Sequence, residues 1–188
     1  MIPAVAKAVV FDAVGTVIIP AVSAPQVYAA AATRYGLDAD PDAILARFLA
    51  AFRAEEATDD RADWVTSEER EVARWRAIVA GTLPGAPAGV FDELYAHFAR
   101  PDAWAVPADA PATFAALAAR GLRLGLGSNY DSRLDAVVAG RPELAPLRGC
   151  VVVSSRVGVR KPGRAFFDRV CADLGCDPAE VVFSPLRR

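Results

Sequence analysis

The chain has 188 residues, of which 54% are hydrophobic and 23% charged, and a formal net charge of −2. This composition excludes a disordered chain and provides enough apolar material for one domain carrying an insertion. The near-neutral charge argues against nucleic acid as a partner, because nucleic-acid-binding surfaces are basic. No uncharged apolar run reaches the roughly 18 residues that a membrane span needs. We therefore expect no membrane partner and a cytoplasmic location.

Four apolar runs that lack alternation predict strands buried on both faces of a parallel sheet. They cover residues 5–11, 122–126, 150–153 and 181–183. A helical pattern precedes each of the last three runs: one follows Asp109, one covers residues 131–139, and one extends from Pro162 to Gly175. Alternating strands and helices are typical of right-handed crossovers. The predicted fold class is α/β, with a Rossmann-like parallel-sheet core.

The segment between the first two predicted strands is too long for a single crossover. The segment carries the signals of four helices. The first begins at Ser23 and ends at Gly36, and the second begins at Asp40. The third follows a capping box of Thr66 and Glu69, and the fourth has an apolar stripe over 87–99. The acidic stretch 55–63 reads as a solvated loop, and Trp64, Trp75 and Trp104 as core residues. We predict an all-helical domain at 20–106, inserted into a core formed by 1–19 and 107–188.

Polar residues follow three of the predicted strands. Asp12 ends the first run, Ser128 and Asn129 follow the second, and Lys161 comes one loop after the third. Ligands of open α/β sheets bind beyond the carboxyl ends of the strands, so we expect these side chains to converge on one anionic pocket. Simpler interpretations stay open: Asp12 caps its own turn, Ser128 or Asn129 caps the next helix, and Lys161 is exposed in a loop.

Lysine is rare in this chain, which makes its position informative. Of the 21 lysines and arginines, only Lys7 and Lys161 are lysines. Lys161 precedes a predicted helix, where the positive end of the helix dipole disfavours a cation unless an anion lies between them. The Asp12 carboxylate or a phosphate group would serve as that anion. Cys150, Cys171 and Cys176 have no metal-binding spacing, and we expect free thiols.

Taken together, these segments resemble the haloacid dehalogenase-like hydrolase superfamily. The stretch VVFDAVGTV at 9–17 is similar to the family's strand followed by D-x-D-x-T, LGLGSN at 124–129 to its second motif, and RKP at 160–162 to its third. The helical insertion after the first motif is similar to the family's cap domain. The resemblance covers nearly the whole chain.

The resemblance implies roles for individual residues. Asp12 would be the nucleophile that forms a covalent aspartyl intermediate, and Lys161 would hold Asp12 and neutralise developing charge. Ser128 and Asn129 would bind substrate, and Thr16 would stabilise the nucleophile loop and contribute to binding. In phosphatase members, Mg²⁺ bridges the aspartate and the backbone carbonyl at the position of Val14. The implied substrate is a phosphorylated small molecule.

Two departures from the family pattern weaken that expectation. Val14 stands where phosphatases carry the second Asp, and a general acid–base group is worth about 10²–10⁴-fold in rate. The carboxylates of the fourth motif are missing, because the chain continues as SPLRR at 184–188. Mg²⁺ binding is therefore expected to be weak or lost.

Three functions remain open at this stage. The first is phosphate-ester hydrolysis by Asp12. The second is a carbon-centred reaction such as 2-haloacid dehalogenation. The leaving halide needs no proton in that reaction, so the lack of a proton donor at Val14 reduces the rate less. The third is a truncated family member without catalytic activity that keeps the fold.

Overall fold

The computed structural model describes residues 3–184. Its strands are β1 (Ala8–Phe11), β2 (Ile19–Pro20), β3 (Trp104–Ala105), β4 (Arg123–Ser128), β5 (Val151–Val153) and β6 (Val181–Ser184). Its helices are α1 (Ala24–Arg34), α2 (Pro41–Arg61), α3 (Glu68–Thr82), α4 (Ala88–His97), α5 (Ala110–Ala119), α6 (Arg133–Gly140), α7 (Ser154–Val157) and α8 (Arg164–Leu174). Among these residues, every helix is too short or too polar to cross a membrane.

Four strands form one parallel sheet in the order β5–β4–β1–β6. The central strand β1 pairs with β4, where Val9 lies opposite Leu124, and with β6, where Val9 lies opposite Val182. The predicted α/β class with a Rossmann-like core is confirmed. Because β1 and β4 are adjacent and parallel, the residues that follow them emerge at the same edge of the sheet.

The side chains of β1 alternate between two hydrophobic layers. Val9 and Phe11 pack into a cluster that includes Phe114 of α5, and Phe11 meets the Phe114 ring edge-on. Ala8 and Val10 pack into a second cluster, which includes Phe166 of α8. Burial on both faces explains why this run carries no polar alternation. Each fully buried large apolar side chain contributes about 1.5–3 kcal/mol, so the strand is held rigidly at the centre of the sheet.

Residues between β1 and β4 form a helical insertion with a core of its own. Helices α1 to α4 surround Tyr28, Ile44, Val79, Phe91 and Leu94. The expectation that the segment is entirely helical was wrong in one detail. The chain enters and leaves through an antiparallel ribbon, in which Ile19 of β2 pairs with Ala105 of β3. The chain crosses this boundary twice in opposite directions, which brings the two strands side by side, where their backbone groups form hydrogen bonds with each other.

The acidic stretch 55–63 is mainly helical and not the predicted loop, although Glu56 and Asp60 are exposed to solvent as expected. Helix α2 continues through it to Arg61, and Asp59 is 1% exposed. Asp59 Oδ1 accepts a hydrogen bond from Arg70, and Oδ2 accepts one from Arg74 Nε at 2.8 Å. A buried carboxylate is tolerated where cations and hydrogen bonds compensate its lost hydration. These arginines lie on α3, so the acidic face of α2 is a helix-packing surface.

The cap of helix α3 also differs from the prediction. Ser67, rather than Thr66, is the N-cap, and its Oγ accepts a hydrogen bond from Arg70 N at 3.1 Å. The Thr66 hydroxyl instead donates to Glu71 Oε1 at 2.8 Å. Both Thr66 and Ser67 can cap a helix. Because the Thr66 hydroxyl is bound to the buried Glu71, Ser67 caps α3.

Candidate active site

Asp12 and Lys161 meet at the carboxyl edge of the sheet. Lys161 Nζ lies 2.9 Å from Asp12 Oδ1, and the two side chains are 21% and 18% exposed. Asp12 and Lys161 are far apart in sequence. They meet because β1, β4 and β5 are neighbours in the sheet, and the loop after β5 brings Lys161 to the end of β1. The predicted convergence of Asp12, Ser128, Asn129 and Lys161 is observed, since all four line one cavity.

The same oxygen of the Asp12 carboxylate makes both of its contacts with described residues. Oδ1 accepts from Lys161 Nζ and from the backbone N–H of Ala13 at 2.8 Å. The simpler interpretation, in which Asp12 caps its own Gly-Thr turn, was wrong, because the N–H groups of Gly15 and Thr16 donate to the carbonyls of Ile18 and Ala13. No described residue donates a hydrogen bond to Oδ2. One oxygen is held in place while the other retains its lone pairs for a reacting atom.

Asn129 holds the backbone of Lys161 through a reciprocal pair of hydrogen bonds. Its Nδ2 donates to the Lys161 carbonyl at 3.0 Å, and its Oδ1 accepts from the Lys161 N–H at 2.7 Å. Lys161 Nζ also donates to the Gly127 carbonyl at 2.9 Å. The amide of Asn129 is thus largely committed to Lys161. Its geometry fits a positioning role better than the substrate-binding role that the resemblance implied.

Ser128 and Thr16 are placed differently with respect to the cavity. Ser128, at the end of β4, is 3% exposed and lines the cavity. Thr16 is buried outside the lining, and its Oγ1 has no hydrogen-bond partner among the described residues. The backbone N–H of Thr16 donates to the Ala13 carbonyl at 3.2 Å. The structure therefore places Thr16 in the loop that shapes Asp12 and does not bring its hydroxyl to the substrate cavity.

The cavity has a volume of about 560 Å³. Its floor is the polar edge of the sheet, and Val14 lies beside Asp12 in the lining. One wall comes mainly from the insertion and is aromatic: Tyr28, Phe48, Phe52, Trp75, Phe98 and Trp104. Trp104 lies in a hydrophobic cluster and Trp75 packs against another, as expected of core residues, and both also line the cavity. Their helical or ribbon position does not distinguish a core from a pocket, so the sequence offered no signal for this wall.

Burial alters the acidity of Tyr28, which belongs to this wall. The side chain is 2% exposed, and desolvation raises the pKa of its hydroxyl well above the ordinary value. Tyr28 therefore stays neutral throughout the physiological range and can take part only as a hydrogen-bonding hydroxyl.

A buried ionic cluster lies next to the cavity and was missed by the sequence reasoning. Arg160 pairs with Glu71 and lies 3.5 Å from Asp59 Oδ2, while Arg74 binds the same Asp59 oxygen at 2.8 Å. All four side chains are at most 3% exposed. Arg160 directly precedes Lys161, so the cluster connects the insertion to the loop that carries the lysine.

Backbone contacts reinforce this connection. The N–H of Arg160 donates to the Trp64 carbonyl at 2.8 Å, and the N–H of Thr66 donates to the Gly158 carbonyl at 3.0 Å. The carboxylate of Glu68, in the first turn of α3, accepts from the Ser155 hydroxyl at 2.7 Å. The loop between α2 and α3 is therefore bound to the loop before Lys161 at several points.

The described residues do not fit the Mg²⁺ site that the resemblance implies. Magnesium prefers several oxygen ligands in octahedral geometry. Within residues 3–184, no group of three His, Cys, Asp or Glu side chains is arranged to hold a metal ion. Asp12 Oδ1 is bound to Lys161, and Val14 offers only its backbone carbonyl. Residues 185–188, where the family's fourth motif would follow, lie outside the described residues.

Comparison with known proteins decides the family. A family model described as haloacid dehalogenase-like hydrolase matches residues 6–183. The chain belongs to the haloacid dehalogenase-like hydrolases. The human haloacid dehalogenase-like hydrolase domain-containing protein 3 is 31% identical over 125 residues, covering 61% of this chain and 48% of that protein. The zebrafish (Danio rerio) protein of the same name is 32% identical over 91 residues, covering 48% of this chain and 37% of its own length. The chain thus spans less than half of these relatives.

Solved structures of haloacid dehalogenase-like hydrolases share this fold. An L-2-haloacid dehalogenase from Xanthobacter autotrophicus superposes with a TM-score of 0.69 at 24% identity, over 95% of this chain and 69% of that chain. A phosphatase from Thermococcus onnurineus superposes with a TM-score of 0.58 at 20% identity, over 94% and 75%. Both reaction types occur on this fold, so the fold alone leaves the reaction of this chain open.

Proposed function

We propose that this chain is a hydrolase in which Asp12 displaces a halide from carbon, as in a 2-haloacid dehalogenase. The observation that carries the proposal is the 2.9 Å contact of Lys161 Nζ with Asp12 Oδ1 at the floor of an apolar cavity. The lysine orients the Asp12 carboxylate, and the apolar surroundings strengthen a carboxylate as a nucleophile because they exclude water.

The displacement is balanced without a proton donor. Asp12 Oδ2 attacks the carbon that carries the halogen, the new C–O bond forms as the carbon–halogen bond breaks, and the halide leaves with the bonding pair. Water then attacks Cγ of the resulting Asp12 ester. This second step releases a 2-hydroxy acid and a proton and restores the carboxylate.

Val14 supports a leaving group of this kind. It lies beside Asp12 in the cavity lining, where its side chain can neither donate nor accept a proton. An alkoxide leaving group needs protonation as it departs, whereas a halide is a stable anion. The residues next to Asp12 are therefore suited to leaving groups that depart unprotonated.

Phosphate-ester hydrolysis is the second candidate, and one observation favours it. Lys161 and Ser128 line the cavity together with Asp12, and a cation with a hydroxyl donor is a suitable arrangement for a transferring phosphoryl group. Against it stand Val14 and the lack, within residues 3–184, of a group of three side chains that could hold Mg²⁺. Esters with acidic leaving groups, such as aryl phosphates, would be the most favourable substrates of this type.

The test compares the two products directly. Purified wild-type protein is incubated with 2-chloropropionate or with p-nitrophenyl phosphate, each in EDTA and in Mg²⁺, while chloride and phosphate release are measured. The proposal predicts chloride release that persists in EDTA and disappears in Asp12→Asn. Phosphate release that requires Mg²⁺ would replace the proposal by the second candidate. Release of neither product would support a family member without activity.

Isotope labelling tests the covalent step. In H₂¹⁸O under single-turnover conditions, attack of water on Cγ leaves ¹⁸O in the Asp12 carboxylate and ¹⁶O in the product. Mass spectrometry of the peptide that contains Asp12 measures this directly. Label in the product alone would show direct attack of water and remove Asp12 as the nucleophile.

A further inference from the structure

We propose that the cavity takes an organic acid with an aromatic body and a second carboxylate, which binds to Arg74 and Arg160 in the cavity lining. This inference deepens the proposed function and rests on it for the identity of the reacting end. Small-molecule sites of about 300–1,000 Å³ accommodate drug-sized ligands, and this cavity measures about 560 Å³. A three-carbon haloacid would leave most of it empty.

The chemistry of the wall indicates the body of the ligand. Seven aromatic side chains line the cavity, and several contact one another through edge and tilted ring contacts, such as Tyr28 with Phe48 and Phe98 with Trp104. Aromatic surfaces of this kind favour a planar ring, because offset and edge contacts between rings add to the gain from simple burial. An aromatic ring therefore suits this wall better than a polar body such as a sugar.

Two arginines on the same cavity have hydrogen-bond donors without a partner. Arg74 uses Nε for Asp59, and its Nη1 makes no hydrogen bond with a described residue. Arg160 uses Nη1 for Glu71 and its Nε lies 3.5 Å from Asp59 Oδ2, which leaves its Nη2 without a hydrogen bond to a described residue. Both residues line the cavity, whereas the unpaired Arg74 Nη2 and Arg160 Nε are fully enclosed by protein and out of the reach of a ligand. A buried charged donor without a hydrogen bond destabilises the folded protein.

The neighbouring carboxylates do not satisfy these donors. Asp59 is already shared by Arg70, Arg74 and Arg160. Glu71 Oε2 is itself without a partner, and Glu71 is not part of the lining. Glu56, the second carboxylate in the lining besides Asp12, is exposed. An acceptor supplied by a ligand would complete the hydrogen bonding of the guanidinium groups. A carboxylate fits best, because its two oxygens match donors from two arginines.

The test measures binding of acids without a halogen, so its result does not depend on whether the chain catalyses dehalogenation. The probes are propionate, 3-phenylpropionate, 3-(4-carboxyphenyl)propionate and its 4-carbamoyl analogue, each titrated calorimetrically into wild-type protein. We expect the phenyl group to tighten binding at least about tenfold through its buried area. We expect the 4-carboxylate to tighten it about tenfold more, while the neutral amide does not.

Two variants separate the arginine contact from a general disturbance of the cluster. Arg74→Lys keeps a charge near Asp59 and removes the guanidinium donors, and it should lose the gain from the 4-carboxylate alone. Arg70→Lys is the matched control, since Arg70 binds the same Asp59 but does not line the cavity; it should keep both gains.

Three results would overturn the proposal: wild-type protein that binds carboxylate and amide equally, a gain that survives in Arg74→Lys, or an equal loss in Arg70→Lys. The first comparison needs no variant, so it decides the question even if Arg74→Lys fails to fold. Halide release from 2-chloropropionate is scored separately. Its absence would remove the proposed reaction and leave the binding result standing.

Discussion

Asn129 and Lys161 exchange two hydrogen bonds, so one amide side chain fixes the backbone from which the lysine reaches Asp12. The arrangement joins the end of β4 to the loop after β5. Because the Lys161 side chain is long and flexible, fixing its backbone limits the positions that its ammonium group can reach. Asn129 thereby acts on the reacting carboxylate through Lys161.

Replacing Asn129 by Ala should lower kcat about 10- to 100-fold, with little change in KM, because a displaced Lys161 no longer orients Asp12. Steady-state kinetics on the substrate that wild-type protein turns over measures both values, and Lys161→Met provides the reference for complete loss of the ion pair. A rise in KM at constant kcat would instead assign Asn129 to substrate binding.

Replacing Arg160 by Met should destabilise the fold by about 3–5 kcal/mol, because Asp59 and Glu71 would lose a buried cation. Urea denaturation followed by circular dichroism measures the free energy of unfolding. Arg156→Met is the control: Arg156 pairs with Asp135 on the surface, both about half exposed, and its loss should cost at most about 1 kcal/mol. Equal effects of the two substitutions would show that burial does not set the cost.

Introducing an acid by Val14→Asp should not by itself produce strong phosphatase activity. The new carboxylate could protonate a leaving alkoxide, but residues 3–184 would still lack a three-carboxylate site for Mg²⁺. Phosphate release from p-nitrophenyl phosphate with Mg²⁺ measures the outcome, with Val14→Asn as an isosteric control. A large gain in Val14→Asp alone would show that the proton donor was the main deficit.

The pKa of His97 should lie below its ordinary value of 6.5, because partial burial and the neighbouring Arg100 disfavour the imidazolium form. The unfolded chain then binds the proton more readily than the folded chain. Stability should accordingly be complete above about pH 6.5 and should fall as the pH decreases through that value. NMR titration of the His97 ring gives the pKa, and His97→Gln should remove this part of the pH dependence of unfolding. A pKa above 6.5 would reverse the sign.

Cys150 should be unreactive toward a thiol reagent at pH 8, since burial raises its pKa to about 11 and only the thiolate attacks. Cys176 is the more exposed of the three thiols and should react first. Labelling with a chromogenic disulfide in native buffer measures the order, and labelling in urea confirms that three thiols are available. Early labelling of Cys150 would indicate that its part of the sheet opens readily.

The sequence was sufficient to predict the parts of the fold that depend on local patterns. The apolar run ending at Asp12 reads as a doubly buried strand, and Asp40, followed by Pro41, correctly marks the start of α2, where its side chain accepts from Asp42 N at 3.2 Å. The proximity of Asp12 and Lys161 could also be predicted, because the carboxyl ends of parallel strands lie at the same edge of the sheet.

The features that could not be predicted from the sequence depend on contacts between residues that are distant along the chain. Asp59 reads as a solvated acid until Arg74, 15 residues later, and Arg160, on another element, are placed beside it. The same holds for Trp75, whose position in α3 is compatible with either a core or a cavity wall. Local patterns reveal which face of an element is apolar, but they do not reveal whether that face meets protein or empty space.

The ion pairs of Arg160 have a consequence for recombining parts of this family. Exchanging the helical insertion for that of a relative would remove Asp59 and Glu71. Arg160 would then be buried without the two carboxylates that pair with it. A functional chimaera would therefore need to transfer Arg160 together with the donor helices, although α5, β4, α6, β5 and α7 separate Arg160 from the insertion along the chain. The boundary at which this protein can be cut and rejoined is set by electrostatic pairing as much as by the ribbon where the insertion begins.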